Sequence, residues 1–154
     1  MSFDAFLQRF ADGERAEANR AGVMAVLDRT DHRGPDEFGF FIVKTSDGHE
    51  VEFSASGLDG SEPFESCAFH LRGLSQRVSN LIYSVAESGE MVILHSSEDA
   101  VVYVFTDETI VHLPADLTDS FTPVVIRSPA ELHAGLAGGF DGWSNYRDRV
   151  FPRK

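Results

Sequence analysis

A stripe of apolar residues at helical spacing, set between segments of strand character, constrains this chain more than any other feature. Leu71, Leu74, Val78, Leu81, Ile82 and Val85 recur every three or four residues, the period of one helix face, and Gly89 stands where a C′ residue belongs. The spacing predicts a long central helix over about 71–88. Such a stripe must bury against another layer, and the flanking segments offer one. Upstream, Phe38–Thr45 reads as a strand, Ser46-Asp47-Gly48 as a turn and His49–Ala55 as the returning strand. Asp-Gly between two apolar runs is a strong hairpin signal. The returning strand alternates, with Val51, Phe53 and Ala55 inward and Glu50, Glu52 and Ser54 outward. The first strand has Phe40, Phe41, Ile42 and Val43 on both faces, which predicts a central position covered on two sides. Phe64–His70 either extends the central helix or forms a short strand. Downstream, three strands are expected at Met91–Ser96, Val101–Thr106 and Thr109–Leu113, with turns at Ser97–Ala100 and Asp107-Glu108. Their apolar residues on both faces argue for a sheet buried on both sides, by helices or by a partner.

Both ends read as helical. Ser2 is a good N-cap, and Asp4 falls in the first turn. Phe3, Phe6, Leu7 and Phe10 then fall at i, i+3, i+4 and i+7, predicting a helix that ends at Asp12-Gly13. A second helical stretch is expected over Glu14–Arg29, and Thr30–Glu37 as a loop. Gly57–Pro63 is a turn-rich connection and Pro114–Pro123 a loop, with Val124–Arg127 as a sixth strand. Ser128-Pro129-Ala130-Glu131 opens a helix, with Ser as cap, Pro at N1 and an acid at N3. Gly135–Gly142 holds four glycines in eight residues and reads as a loop. The tail 140–154 is expected to be part helical and less ordered. The fold class that results is α+β: a five- or six-stranded antiparallel sheet with N-terminal helices, the central helix and a C-terminal helical segment, in a single domain over 1–154. A chain of 154 residues buries roughly 70% of the surface its unfolded form exposes, so one core suffices.

Charge excludes function classes more than it selects them. With 25 Asp and Glu against 13 Lys and Arg, the net charge of −12 repels phosphate backbones and anionic membrane surfaces. The longest apolar runs are a few residues, far from the ~20 that span a bilayer. The single cysteine, Cys67, has no internal disulfide partner, and the start of the chain has no secretory character, so a cytoplasmic location is expected. The 11 Arg against 2 Lys are consistent with a GC-rich, bacterial source.

No motif assigns a reaction. The six histidines show no His-x3–5-His spacing and there is no Cys-x2-Cys, so no metal and no cofactor is expected. Cys67 and His70 are i, i+3 and would share one face of a helix, which makes them a candidate nucleophile pair. Placed on the first and third strands of a meander, His95 and His112 would lie roughly 10 Å apart. For a small enzyme or ligand binder with a pocket between sheet and central helix, the candidates are Cys67, His70, His95, Asp99 and Tyr103. The Gly135–Phe140 run lacks the Gly-Lys-Ser/Thr of a phosphate-binding loop. Asp36-Glu37, Glu98-Asp99 and Asp107-Glu108 are acid pairs in expected loops or turns. No Lys or Arg lies between Arg77 and Arg127, and Arg147, Arg149, Arg153 and Lys154 make a basic tail. Glu50, Glu52, Glu98, Asp99, Asp107 and Glu108 therefore mark an acidic rim, which either blunts strand edges or docks a basic protein. Trp143 and Tyr146 are core anchors or an exposed aromatic contact.

The order helix, hairpin, central helix, then three strands resembles the roadblock/dynein-light-chain fold of the profilin-like group. The resemblance covers about Glu14–Leu113 and rests on the strand-turn-strand Phe40–Phe53 around Asp47-Gly48 and on the Leu71–Val85 stripe. It implies a homodimer with paired central helices that scaffolds a small GTPase or a motor complex. The C-terminal forty residues depart from that family's short ending. A second comparison, with acidic bacterial secretion-chaperone-like domains, requires a third strand before the helix, which Phe64–His70 alone could supply. Together these readings give a non-catalytic, acidic protein-binding module, possible as a homodimer. The alternatives are an immunity or antitoxin protein that caps a basic toxin, and the small enzyme or ligand binder.

Overall fold

The computed structural model describes residues 3–95 and 100–150, with side chains described up to residue 141. Among these residues, eight strands form one sheet in the order β10-β9-β8-β1-β7-β6-β5-β4. Every pairing in it is antiparallel except β10 with β9. The strands are β1 (Phe3–Gln8), β4 (Asp31–Arg33), β5 (Phe40–Lys44), β6 (Glu50–Ser54), β7 (Ser66–Leu71), β8 (Val92–His95), β9 (Val101–Val104) and β10 (Thr122–Val125). A separate ribbon pairs β2 (Phe10–Ala11) with β3 (Glu14–Arg15). The helices are α1 (Arg20–Asp28), α2 (Gln76–Gly89), α3 (Asp107–Val111), α4 (Ala115–Ser120) and α5 (Pro129–Val150).

The largest departure from expectation is the N-terminus. Phe3–Gln8 is a central strand, not a helix. Phe3, Ala5 and Leu7 are fully buried while Phe6 is 43% exposed. Phe3 and Leu7 satisfy a period of two as well as a helical one, and pairing with β7 and β8 on both sides decides between them. The Ser2 cap lies outside the described residues. Asp12-Gly13 ends no helix; both residues have positive φ, 53° and 80°, the combination that closes a two-residue hairpin between β2 and β3. The helix expected over Glu14–Arg29 is confined to α1, capped by the Asn19 side chain on the Gly22 N–H. Its Gly22 is required by packing, since a Cβ there would stand 2.2 Å from the Ser88 carbonyl oxygen of α2.

The hairpin around Asp47-Gly48 forms as expected, with Val51, Phe53 and Ala55 buried and Glu50 and Glu52 exposed. Its first strand is flanked on both sides but not covered on both faces: the segment read as a loop contains β4, which makes β5 second from the sheet edge, and Phe40 and Ile42 stay half-buried. Phe64–His70 resolves as strand, with β7 spanning Ser66–Leu71 between β1 and β6. The central helix consequently starts later than 71. Leu71 ends β7, Ser75 caps α2 through the Val78 N–H, and Glu90 rather than Gly89 takes the left-handed position at its end. Gly89 is the last helical residue, where a Cβ would meet Met91 at 2.5 Å and Val23 at 2.9 Å.

Thr109–Leu113 is not a strand. Thr106 caps α3 through the Thr109 N–H, and Asp107 and Glu108 sit in its first turn against the positive end of the helix dipole. These local effects outweigh the β-branched residues Thr109, Ile110 and Val111. Pro114–Pro123 contains α4 and the start of β10. Ser128 caps α5 on the Glu131 N–H, as the Ser-Pro-x-Glu pattern predicts, and the Glu131 carboxylate reaches back one residue beyond the cap to accept the Arg127 N–H. The glycine-rich Gly135–Gly142 lies inside α5 and is not a loop. At Gly135 a Cβ would stand 2.2 Å from the Tyr103 hydroxyl, so close approach of helix to sheet explains that glycine.

One sheet face packs on α1, α2 and α5. Its core runs along stacked or tilted rings, Phe41 to Phe53 at 5.8 Å and Phe53 to Phe69 at 4.7 Å, and is tied laterally by the Ser79 hydroxyl to His133 at 2.7 Å. Among the described residues the opposite face is covered at one end only. There Val92, Val102, Val104 and Leu113 form a second cluster, with Ile110, Leu117 and Phe121 packed on it. As expected, β8 and β9 are thus buried on both faces.

Candidate functional site

The uncovered half of that second face carries the chemistry. Alternation places Asp4 and Phe6 of β1, Ala68 and His70 of β7, Glu50, Glu52 and Ser54 of β6, and Phe40 and Ile42 of β5 on it. Register then sets neighbours: His70 lies opposite Asp4 on one side and Glu52 on the other, and Ser54 lies between Phe40 and Ala68.

A hydrogen-bonded line of three side chains crosses these strands. His70 Nδ1 is 2.9 Å from Asp4 Oδ1, and His70 Nε2 is 3.1 Å from the Ser54 hydroxyl. In the tautomer that carries Nδ1–H, His70 donates to Asp4 and accepts from the Ser54 hydroxyl at Nε2. Phe40 sits beside the imidazole, ring centroids 6.2 Å apart. At the strand ends Glu50 pairs with Arg33 of β4 at 3.7 Å. Phe6 is exposed, and Phe40 and Ile42 are half-buried.

The line has the connectivity of a Ser-His-Asp relay but stands on a different support. Such a relay needs backbone donors aimed at a developing oxyanion beside the serine. The N–H that follows Ser54, that of Ala55, is donated to the Gly39 carbonyl at 3.2 Å. Ser54 itself is held flat in a strand paired on both sides. The arrangement orients a histidine and presents acids and aromatic rings on a broad surface.

The residues expected to form a site are divided by the sheet. Cys67 and His70 do not share a face, because on a strand i and i+3 point to opposite sides. Cys67 is buried in the core, where burial pushes its thiol up, away from the thiolate a nucleophile needs. His95 and Tyr103 do come together: their rings stack at 5.7 Å, with the Tyr103 hydroxyl 3.4 Å from His95 Nε2. Both are buried inside the core, beside Phe3. His112 is not on a strand; it ends α3, and its Nδ1 accepts the Asp12 N–H at 3.1 Å. Among the partner-binding acids, Glu50 and Glu52 stand on the open face, while Asp107 and Glu108 belong to α3 at the covered end. Glu98 and Asp99, the side chains of Trp143, Tyr146, Arg147 and Arg149, and the residues Arg153 and Lys154 lie outside the described residues.

Sequence reasoning identified His70 but not Asp4 or Ser54. The available signal was the outward phase of Ser54 in the β6 alternation; Asp4 carried none once Phe3–Phe10 was read as helix. Among the described residues no group of three or more potential ligands is placed to hold a metal ion, and no helix is long and apolar enough to cross a membrane. Comparison with known proteins finds no matching family model, no similar curated protein and no similar solved structure.

Proposed function

We propose that this chain is a non-catalytic protein-binding module whose open half-face docks a protein partner with a basic margin. One observation carries the reading: half of one sheet face keeps Phe6, Phe40 and Ile42 in contact with solvent, with Asp4, Glu50 and Glu52 among them. Interfaces of this kind combine an apolar centre with a charged rim, and opposite charge accelerates encounter and selects partners. A net charge of −12 favours a cationic partner. Ser66–Leu71 is a strand, as a secretion-chaperone-like order asks of Phe64–His70, but five strands of the main sheet precede α2 instead of three, and α3 occupies the place of the last strand in the roadblock-like order. A scaffold, a chaperone and an immunity protein for a basic toxin are all forms of this reading.

The test is site-specific photocrosslinking in the native host. A photoreactive residue at Ile42 is expected to give one dominant adduct with a protein of basic pI, abolished by Glu50→Lys with Glu52→Lys. The same residue at Val111, which is 80% exposed at the covered end, is expected to give none. An adduct with a second copy of the chain would make the partner a homodimer mate. Adducts at both positions, or adducts indifferent to charge reversal, would sink the reading.

A further inference from the structure

The Asp4–His70–Ser54 line carries reactivity as well as support. A carboxylate only accepts hydrogen bonds, so the 2.9 Å contact with Asp4 Oδ1 places the proton of the neutral His70 ring on Nδ1. The Nε2 lone pair then points at the Ser54 hydroxyl, 3.1 Å away. This is the tautomer a general base needs to take a proton from a serine. Asp4 holds the ring in that orientation and is placed to stabilise the imidazolium that forms.

Ser54 also opens on a groove of about 240 Å³, lined on the same face by Phe6, Gln8, Ser56, Ser66 and Ala68. Ladder register accounts for it. Phe6, Ala68 and Ser54 form one row across β1, β7 and β6, and the short Ala68 side chain leaves a hollow between the other two. The volume lies below the roughly 300–1,000 Å³ of drug-sized sites, so the groove suits a short group. Asp4, Glu50 and Glu52 stand on this face in a chain of net charge −12, which disfavours anionic reagents. The Ala55 N–H, the backbone donor next to the serine, is already donated to the Gly39 carbonyl. Without such a donor to hold an oxyanion, attack needs an activated carbonyl, and the ordinary ester left on a serine is slow to hydrolyse.

From this geometry we infer that Ser54 is an acyl-acceptor site, modified once by a small, uncharged, activated carboxylic ester. Ser54 Oγ bonds to the acyl carbon as its proton passes to His70 Nε2. The bond from that carbon to the leaving oxygen breaks, and the imidazolium returns the proton to the departing alcohol. A stoichiometric acceptor is not a catalyst, and the site does not depend on the docking reading.

Incubation of the intact chain with p-nitrophenyl acetate, followed by peptide mapping by mass spectrometry, tests it. Acetylation is expected at Ser54 in preference to Ser56 and Ser66, which line the same groove, with about one equivalent of nitrophenol released in a burst. Ser54→Ala is expected to abolish the burst, and His70→Gln to slow it about a hundredfold, the usual worth of a positioned base. Nitrogen NMR of the His70 ring in the unmodified chain is expected to show the Nδ1–H tautomer, a readout that needs no variant to fold. Equal labelling of the three serines, a label on His70 in place of Ser54, a rate unchanged by His70→Gln, or an Nε2–H tautomer would each overturn the inference.

Discussion

The two halves of the outer sheet face differ in what covers them, and their sequences differ accordingly. Under α3 and α4 the strands present Val92, Val102 and Val104, all essentially buried. On the open half the same face presents Asp4, Phe6, Ser54 and His70, none of them fully buried. A helix cover removes water and leaves buried polar groups without partners, so the strand positions that face α3 and α4, Val92, Val102 and Val104, are apolar. The open half keeps water, so it tolerates a carboxylate, an imidazole and a hydroxyl, provided they bond one another. The cover itself is short: α3 and α4 are five and six residues, and their hold comes from Ile110, Leu113 and Leu117 rather than from helical stability.

The sharpest way to break this comparison is to place the same residue in both halves. Val102→Asp buries a carboxylate with no partner and is expected to cost about 3 kcal/mol or more in denaturant unfolding. Phe6→Asp on the open half is expected to change stability by at most about 0.5 kcal/mol. Equal losses would mean that both halves are covered in solution, the second by a partner or a second copy. Intermediate in size is the polar line itself. His70→Ala is expected to cost about 1 kcal/mol, the net worth of its two part-buried hydrogen bonds. A double-mutant cycle with Ser54→Ala should show coupling, and additive losses would show that the line is not formed.

The smallest effect lies at the rim of the open half, in the β5–β6 hairpin. Hydrogen bonds from the Thr45 and then the Ser75 hydroxyl hold the Asp47 carboxyl below its ordinary value. A depressed carboxylate contributes stability that is present above its unfolded-state pKa and lost as pH falls through the folded one. Thr45→Val removes the largest cause, so carboxyl NMR titration of Asp47 is expected to move its midpoint upward. An unchanged midpoint would place the origin elsewhere.

Much of the secondary structure was legible because local chemistry settled it. The Asp47-Gly48 hairpin, the capped start of α5 and most of the Leu71–Val85 stripe each depend on residues within a few positions of one another. The misreadings share one cause: a local pattern compatible with more than one structure. Phe3–Phe10 fits a helix by spacing, and pairing from β7 and β8, sixty to ninety residues away, makes it a strand. Thr109–Leu113 has strand composition, and the Thr106 cap with two first-turn acids makes it a helix. Gly135–Gly142 looked like a flexible run until the Tyr103 hydroxyl gave Gly135 a packing reason to be small.

The candidate sites were less legible for the same physical reason. Local sequence determined that the chain is acidic, lacks catalytic and metal-binding signatures, and contains a hairpin and a central amphipathic helix. Tertiary structure alone decided that Asp4, His70 and Ser54 meet and that Cys67 and His70 part. Those groupings join residues tens of positions apart, and sequence periodicity carries no record of distance across a sheet. Strand order and register set that distance, and they come from the burial of the whole core at once.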